Sequence, residues 1–294
     1  MSLTVTSEPS KTMSSLPADP SSQQQQPTVN MVIRQDPFYV TLDASALLAV
    51  SILTVLGMHF VDHLLLEFLI IAVPIALLIH NDYLNFLKLG PGGTPPTPSG
   101  YARLTFYRLF TLRDPFTPPP RDVVSSPSTG ILSKLPYRPG PRPTVAGLAP
   151  QRQLNQHGSV ECYNRLRAAL GNLSKKHPSV FVTATSCLEK HGFALFARHP
   201  LNVCGNGEIV HIHSSDRSMH MNLHPDDIKE ILEKGWGQRH PMAWSGWVRA
   251  PLPETFSMVY APRDESDLKI VCRIVEAAIW YVIAEKVEIE IELE

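Results

Sequence analysis

An apolar block near the N-terminus constrains this chain more than any other feature. Residues 44–61 contain no Asp, Glu, Lys or Arg, and residues 64–79 contain one acidic side chain. About 20 apolar residues in a helix span a bilayer, and the helix pairs its own backbone polar groups there. The block therefore predicts a membrane anchor over residues 41–80, either as one span or as a short hairpin that bends near Asp62.

The segments on either side of the anchor have different compositions. Residues 1–40 are rich in Ser, Pro, Gln and Thr, and this composition predicts a disordered tail. Residues 81–150 hold many of the 27 prolines and predict juxtamembrane helices followed by a Pro-rich wrap. Basic residues follow the block more than they precede it, which predicts that the large C-terminal part faces the cytosol from the endoplasmic reticulum or another internal membrane. These basic residues are Arg103, Arg108 and Arg113.

We predict one folded domain, the candidate catalytic domain, over residues 151–294. Strand patterns cluster between helical patterns, which predicts an α+β fold with a mainly antiparallel sheet flanked by helices. The helix predicted over residues 264–285 has an apolar stripe at helical spacing. The formal net charge of −1 does not favour a nucleic-acid partner.

Three histidines in the catalytic domain follow the spacing of strands. His211 and His213 are two residues apart, so they point to the same face of a strand. A turn at residues 214–217 would pair this strand with the next one and add His220 to the same face. Imidazole transfers protons near neutral pH and also binds metals, so we interpret the three histidines as catalytic.

The segment Gly-Trp-Gly-Gln-Arg-His-Pro at residues 235–241 predicts a loop beside these histidines. A guanidinium holds an anion with a planar fork, and an imidazole can act as a base, so Arg239 and His240 join the predicted catalytic residues. Flat aromatic walls suit a flat aromatic substrate. The predicted substrate-binding residues are Trp236, Gln238, Trp244, Glu208 and Asp216.

Two chemistries fit this set of residues. In the first, His211, His213 and His220 bind a metal on one face, and Glu208 is available as a fourth ligand. In the second, a histidine deprotonates an acidic organic substrate without a metal, and Arg239 holds the resulting anion. The residues alone leave both open.

Five segments resemble a known family. Residues 234–243 and 259–265 resemble the luciferases of luminous mushrooms and their wider luciferase-like family. The other segments occur in the family's order, and the resemblance extends from about residue 70 to about residue 283. They cover residues 82–91, residues 135–144 with Gln151–Gln153 behind them, and residues 274–281.

The resemblance implies a membrane-anchored oxygenase that uses O2 as a co-substrate and no metal or organic cofactor. The implied substrate is an enolic α-pyrone of the 3-hydroxyhispidin type, or a related polyketide or phenol, which loses CO2. Luminous members also emit light. A divalent transition metal at His211, His213 and His220 is the alternative to a cofactor-free site. The alternatives in function are a non-luminous cyclase or decarboxylase of secondary metabolism, and a non-catalytic membrane-tethered ligand-binding protein. The predicted partners are a small-molecule substrate and a membrane.

Overall fold

The computed structural model describes residues 44–60, 63–121, 127–245 and 250–291. The predicted tail and the predicted bend at Asp62 lie outside these residues. The helices are α1 Ala44–His59, α2 Leu64–Lys88, α3 Pro98–Tyr107, α4 Val160–Lys176, α5 Pro225–Lys234 and α6 Glu265–Ile283. The strands are β1 Val145–Gly147, β2 Gln151–Gln153, β3 Phe181–Thr185, β4 Phe193–Ala197, β5 Glu208–Ile212, β6 Met219–Asn222, β7 Gly237–Arg239 and β8 Phe256–Val259.

The strands form a hairpin of β1 with β2 and a six-stranded sheet in the order β3–β4–β5–β6–β8–β7. Every pair of neighbouring strands is antiparallel. The predicted α+β class with a mainly antiparallel sheet is therefore confirmed. The prediction of a loop over residues 235–241 was wrong at its centre, because β7 pairs with β8 at the edge of the sheet.

Strand alternation separates the core from the histidines. On β5 and β6, Val210 and Ile212 lie opposite Met221 and Met219, and all four side chains join the core that contains α4 and α6. The apolar stripe predicted on α6 is buried in the same core. Burying one such side chain stabilises the fold by about 1.5–3 kcal/mol. The intervening residues of both strands therefore point to the other face of the sheet.

Helix α2 links the apolar block to the catalytic domain. It is one continuous helix of 25 residues that runs from the predicted anchor into the predicted juxtamembrane segment. In the described part of the chain it alone is long and apolar enough to cross a membrane, by length and composition; α1 is apolar but shorter. Near its C-terminal end, Asp82 is buried and accepts hydrogen bonds from Tyr101 Oη at 2.7 Å and Arg108 Nη1 at 2.5 Å. The last turns of α2 thus belong to the folded domain.

The Pro-rich wrap is fastened to α5 through its backbone. The Leu132 amide donates to Asp227 Oδ1 at 2.6 Å, and the Leu135 amide donates to Glu230 Oε1 at 2.8 Å. Asp227 is fully buried, and burial raises the pKa of its carboxyl from 3.8 to about 7. The wrap is therefore held partly by a carboxyl group that burial keeps protonated at mildly acidic pH.

We expect Asp227→Asn to stabilise the protein more at pH 8 than at pH 5. A raised pKa means that the folded state holds the proton more tightly, so stability falls as pH rises from about 4 to about 7. Asparagine keeps an acceptor for Leu132 and carries no charge. The gain over wild type should grow by on the order of 2 kcal/mol between the two pH values. Thermal unfolding of both proteins at the two pH values measures this gain. A stability difference between the variant and wild type that is equal at pH 5 and pH 8 would contradict the prediction.

Candidate active site

Three imidazoles meet on the face of the sheet opposite the core. His211 lies directly across from His220 in the β5–β6 pairing, and His213 follows in the turn between these strands. The distances from His220 Nδ1 to His211 Nε2 and to His213 Nε2 are both 3.1 Å. All three side chains are buried. The spacing of two residues and the turn thus place the rings together, as the sequence predicts.

The outer nitrogen of each ring has a hydrogen-bond partner. His211 Nδ1 lies 2.5 Å from Glu208 Oε1, and His220 Nε2 lies 2.8 Å from Gln151 Oε1. Since a carboxylate and an amide oxygen accept, these two nitrogens carry the ring protons. The inner nitrogens of His211 and His220 then present lone pairs to one another.

His213 is held in the same way by the β5–β6 turn. Its Nδ1 lies 2.9 Å from Ser218 Oγ and 3.3 Å from Asp216 Oδ1. Asp216 also accepts from Ser218 Oγ at 2.7 Å and from the Gln153 amide at 2.6 Å. Glu208 and Asp216, predicted to bind substrate, are thus placed to orient imidazoles.

Glu189 closes the cluster from the turn between β3 and β4. Its Oε1 lies 3.2 Å from His213 Nε2 and 3.9 Å from His211 Nε2. Arg152 donates to both carboxylate oxygens of Glu189, at 2.9 and 3.0 Å, and to the Pro91 carbonyl at 2.7 Å. The Arg152–Glu189 pair is buried, so it lies in a medium where charges interact strongly.

Burial and neighbouring charges set the protonation of the cluster. Burial by itself raises the pKa of Glu189, but the Arg152 guanidinium outweighs burial and holds this pKa well below its usual range. Burial also acts to raise the pKa of Asp216, yet the adjacent His213 brings it to about 2. Burial lowers the pKa of His220 well below its usual range, and the neighbouring imidazoles add to this shift. His220 is therefore a neutral imidazole at pH 7.

The pKa of His213 moves the other way. Burial and Arg152 both lower it, but the carboxylates of Asp216 and Glu189 outweigh them and raise the pKa above its ordinary value. The cluster thus combines a neutral imidazole, His220, with one that holds a proton more tightly, which suits proton transfer as well as metal binding.

His240 lies next to the cluster. Its ring centroid is 5.1 Å from that of His220 and 5.6 Å from that of Phe256. Its Nδ1 accepts from the Met242 amide at 3.0 Å, and it also forms a hydrogen bond with the Leu148 backbone. Burial lowers the pKa of His240 to about 3. The structure therefore gives His240 backbone partners while it packs against the neighbouring His220 ring.

Arg239 points away from the histidines. It lies opposite Ser257 in the β7–β8 pairing, whereas Met258, the next residue of β8, lies opposite His220. Residues directly opposite share a face, and consecutive residues alternate, so Arg239 and His220 are on different faces. The guanidinium donates to the carbonyl oxygens of three separate loop residues. They are Thr117 at 3.3 Å, Ala243 at 2.8 Å and Glu254 at 3.2 Å.

This placement argues against the predicted contact between Arg239 and a substrate anion at the histidines. We expect Arg239→Lys to lower the melting temperature, because a single ammonium group cannot reach three carbonyls as the planar fork does. Losing one or two of these bonds should cost about 1–3 kcal/mol, or roughly 2–12 °C for a domain of this size. Thermal unfolding measures the role of Arg239 in stabilising the fold, and kcat/KM measures its role in holding a substrate anion. A tenfold fall in kcat/KM at an unchanged melting temperature would instead support the anion-holding role.

The remaining predicted substrate-binding residues lie in different surroundings. Trp236 is buried in the main core and donates from Nε1 to the Pro136 carbonyl at 2.7 Å. Gln238 Oε1 accepts from Tyr260 Oη at 3.0 Å. Trp244 packs with Phe110 of the segment that follows α3. Trp236 and Trp244 thus pack in other parts of the domain, whereas Gln238 lies opposite Met258 and shares the sheet face of His220, two strands away. Substrate contacts for all three stay predictions.

Glu189, Gln151 and Arg152 were not predicted as site residues. Gln151 and Arg152 entered the sequence analysis only as part of a resemblance, and Glu189 belongs to no motif. A local signal for Glu189 is absent because its turn, Cys187-Leu-Glu-Lys-His191, looks like an ordinary polar hairpin connection. The β3–β4 and β4–β5 pairings bring this turn to the histidines.

The chain is similar in sequence to known proteins. A luciferase-domain family model matches residues 206–278, which include the three histidines. The chain is 33% identical over 234 residues to the luciferase of Neonothopanus nambi, covering 72% of this chain and 82% of that protein. It is also 33% identical over 226 residues to the luciferase of Armillaria mellea, covering 69% and 81%. No solved structure matches the chain.

An antiparallel sheet with a buried cluster of imidazoles and carboxylates, joined to an apolar N-terminal helix, defines an α+β enzyme domain. With one third of its residues identical over most of both chains, this protein belongs to the fungal luciferase family.

Proposed function

We propose that the protein is a membrane-anchored oxygenase that adds O2 to an enolic α-pyrone of the 3-hydroxyhispidin type, or to a related polyketide or phenol. The substrate gains both atoms of O2 and then loses one molecule of CO2, so it supplies the electrons that O2 accepts. The observation that carries the proposal is the buried imidazole–carboxylate cluster, whose three histidines lie inside the segment that matches the luciferase domain. Such a cluster can deprotonate an enol and hold the enolate, which is the form that reacts with O2.

A small cavity lies beside the β1–β2 hairpin, which also contacts the cluster. Its volume is about 40 Å³, which is enough for a water molecule and well below the volume of small-molecule sites. It is lined by the end of α2, by α3 and by Gly147 and Leu148. Leu148 contacts His240 through its backbone, and the same hairpin carries Gln151, which contacts His220. The β1–β2 hairpin thus connects the cavity wall to the cluster.

Unpaired donors near this cavity and at the cluster suit a substrate rich in oxygen atoms. Asn85 Nδ2, in the cavity wall, is buried without a hydrogen-bond partner among the described residues. Gln151 Nε2, beside His220, is also buried without a hydrogen-bond partner among the described residues. A buried unpaired N–H group costs about 1–3 kcal/mol, so a ligand carbonyl or hydroxyl that accepts from it gains that energy.

The activity is tested with the purified full chain and 3-hydroxyhispidin in air, recording O2 uptake, CO2 release and light in the same vessel. We expect equal amounts of O2 consumed and CO2 released, and neither under argon. Release of CO2 under argon would instead identify a decarboxylase. Tight binding of the pyrone without turnover would identify a ligand-binding protein.

The membrane part of the proposal depends on α2, whose length and composition suit one span. The basic residues that follow it favour a catalytic domain on the cytosolic side of an internal membrane. We expect the full chain to sediment with membranes and to resist a high-salt wash, and removal of residues 1–80 to release it. A full chain that stays in the supernatant without detergent after ultracentrifugation would contradict the anchor.

A further inference from the structure

We infer that Glu189, His211, His213 and His220 bind one divalent first-row transition-metal ion. Each residue offers one ligand atom, and the four atoms lie within 4.8 Å of one another. Three nitrogens and one carboxylate oxygen are the ligands that manganese, iron, cobalt, nickel and zinc accept, whereas calcium and magnesium prefer oxygen alone.

The spacing of the ligand atoms fits an ion at their centre. Metal–ligand bonds of about 2.0–2.2 Å separate neighbouring ligand atoms by roughly 3.0–3.5 Å. Three of the six separations fall in this range, at 3.1 Å for His211 Nε2 to His220 Nδ1, 3.1 Å for His213 Nε2 to His220 Nδ1, and 3.2 Å for His213 Nε2 to Glu189 Oε1. The distance from His211 Nε2 to Glu189 Oε1 is 3.9 Å, and no separation exceeds 4.8 Å. Small movements of side chains are enough to admit the ion.

Hydrogen bonds on the outer side orient the ligands. The outer nitrogens of His211, His213 and His220 face a carboxylate, a hydroxyl with a carboxylate, and an amide oxygen. Glu189 is held by Arg152 in addition to its contact with His213. Metal-binding histidines and carboxylates in proteins are oriented by such outer partners.

Without a cation, the ring nitrogens that face the centre of the cluster are not all hydrogen-bonded. A proton on His213 Nε2 can serve its contact with Glu189, whereas His211 and His220, in the tautomers that serve their outer partners, face each other with lone pairs at 3.1 Å. Three buried carboxylates, of Glu189, Glu208 and Asp216, lie around the rings, and the Arg152 guanidinium pairs with Glu189. A divalent ion would balance negative charge that this pair leaves. In place of the metal-free site that the resemblance implies, the ion would also supply the positive charge for an enolate that the sequence assigned to Arg239.

The role in holding an enolate rests on the function proposed above, but metal binding itself does not. Binding is therefore tested without substrate, on the full chain purified without a histidine tag. We expect elemental analysis to find about one equivalent of a transition metal per chain. After removal of this metal with a chelator, Co²⁺ should restore one equivalent, produce a visible absorption band with an end point at about one ion per chain, and raise the melting temperature.

Variants locate the site. Glu189→Gln and His213→Gln should each weaken Co²⁺ binding at least tenfold, and Glu208→Gln, which removes an outer partner, about 10–100-fold. His199→Gln, at an exposed position away from the cluster, serves as the control and should bind normally. Circular dichroism checks that each variant is folded. Since the wild-type titration needs no variant, a variant that fails to fold does not remove the test.

Two outcomes would overturn the metal site. They are wild-type protein that binds well under one equivalent of metal before and after Co²⁺ loading, and folded Glu189→Gln and His213→Gln proteins that bind Co²⁺ as tightly as wild type. Metal-free protein that retains full O2 uptake would contradict the ion's role in holding an enolate and leave the oxygenase proposal intact. Protein that binds one equivalent of metal but consumes no O2 with the pyrone would instead contradict the oxygenase proposal and leave the metal site intact.

Discussion

Replacing His220 with glutamine should lower kcat/KM for O2 uptake with the enolic pyrone by about 10²–10⁴-fold. His220 Nδ1 is the atom that the inner nitrogens of His211 and His213 both contact at 3.1 Å. Glutamine has a similar reach but lacks the ring nitrogen that accepts a proton or binds an ion. The loss should appear in kcat more than in KM, because the imidazole acts on the reacting oxygen rather than on the rest of the substrate.

The matched control is His199→Gln, an exposed histidine outside the cluster. Both variants are compared with wild type in an oxygen electrode, and thermal unfolding confirms that His220→Gln is folded. Normal O2 uptake by a folded His220→Gln protein would remove the histidine cluster from catalysis.

Replacing Arg152 with methionine should destabilise the protein by about 3–5 kcal/mol. The Arg152–Glu189 pair is buried, and methionine leaves the carboxylate without its main counter-charge. The substitution also removes the contact with the Pro91 carbonyl, which holds the end of the α2 segment near β2. For a domain of about 200 residues the melting temperature should fall by roughly 6–20 °C.

A double-mutant cycle separates the ion pair from the other contacts of Arg152. Arg152→Met combined with Glu189→Leu should be more stable than the sum of the two single effects predicts, because it leaves no unpaired charge. All four proteins are unfolded in the presence of a chelator, so metal binding does not contribute. Strict additivity of the two single effects would show that the pair does not stabilise the fold.

Strand and helix periodicity allowed the largest part of the fold and the centre of the site to be predicted. His211, His213 and His220 follow the two-residue period, and the turn between them sets the pairing that brings them together. The buried stripe of α6 follows the helical period in the same direct way. These patterns involve residues that are close in the sequence, so they can be recognised without information on contacts between distant segments.

Contacts between distant segments could not be predicted in this way. Glu189 reaches the histidines only because β4 lies between β3 and β5, and no period in the sequence encodes that order. The sheet face of Arg239 could not be predicted, because a strand of three residues shows no alternation that could be recognised. With β7 paired to β8, neighbouring residues face opposite ways, and the adjacent Arg239 and His240 acquire different partners.

The buried end of α2 determines how a poorly water-soluble molecule would reach the proposed enzyme. A helix rises 1.5 Å per residue, so a hydrocarbon layer about 30 Å thick takes up about 20 residues, from Leu64 to near Tyr83. Asp82, at the end of this stretch, already accepts a hydrogen bond from Tyr101 of α3. In an anchored protein, this end of α2 would therefore lie near the level of the lipid headgroups, with the folded domain directly against the membrane surface. A hydrophobic molecule dissolved in the membrane would then reach the domain by diffusion in two dimensions.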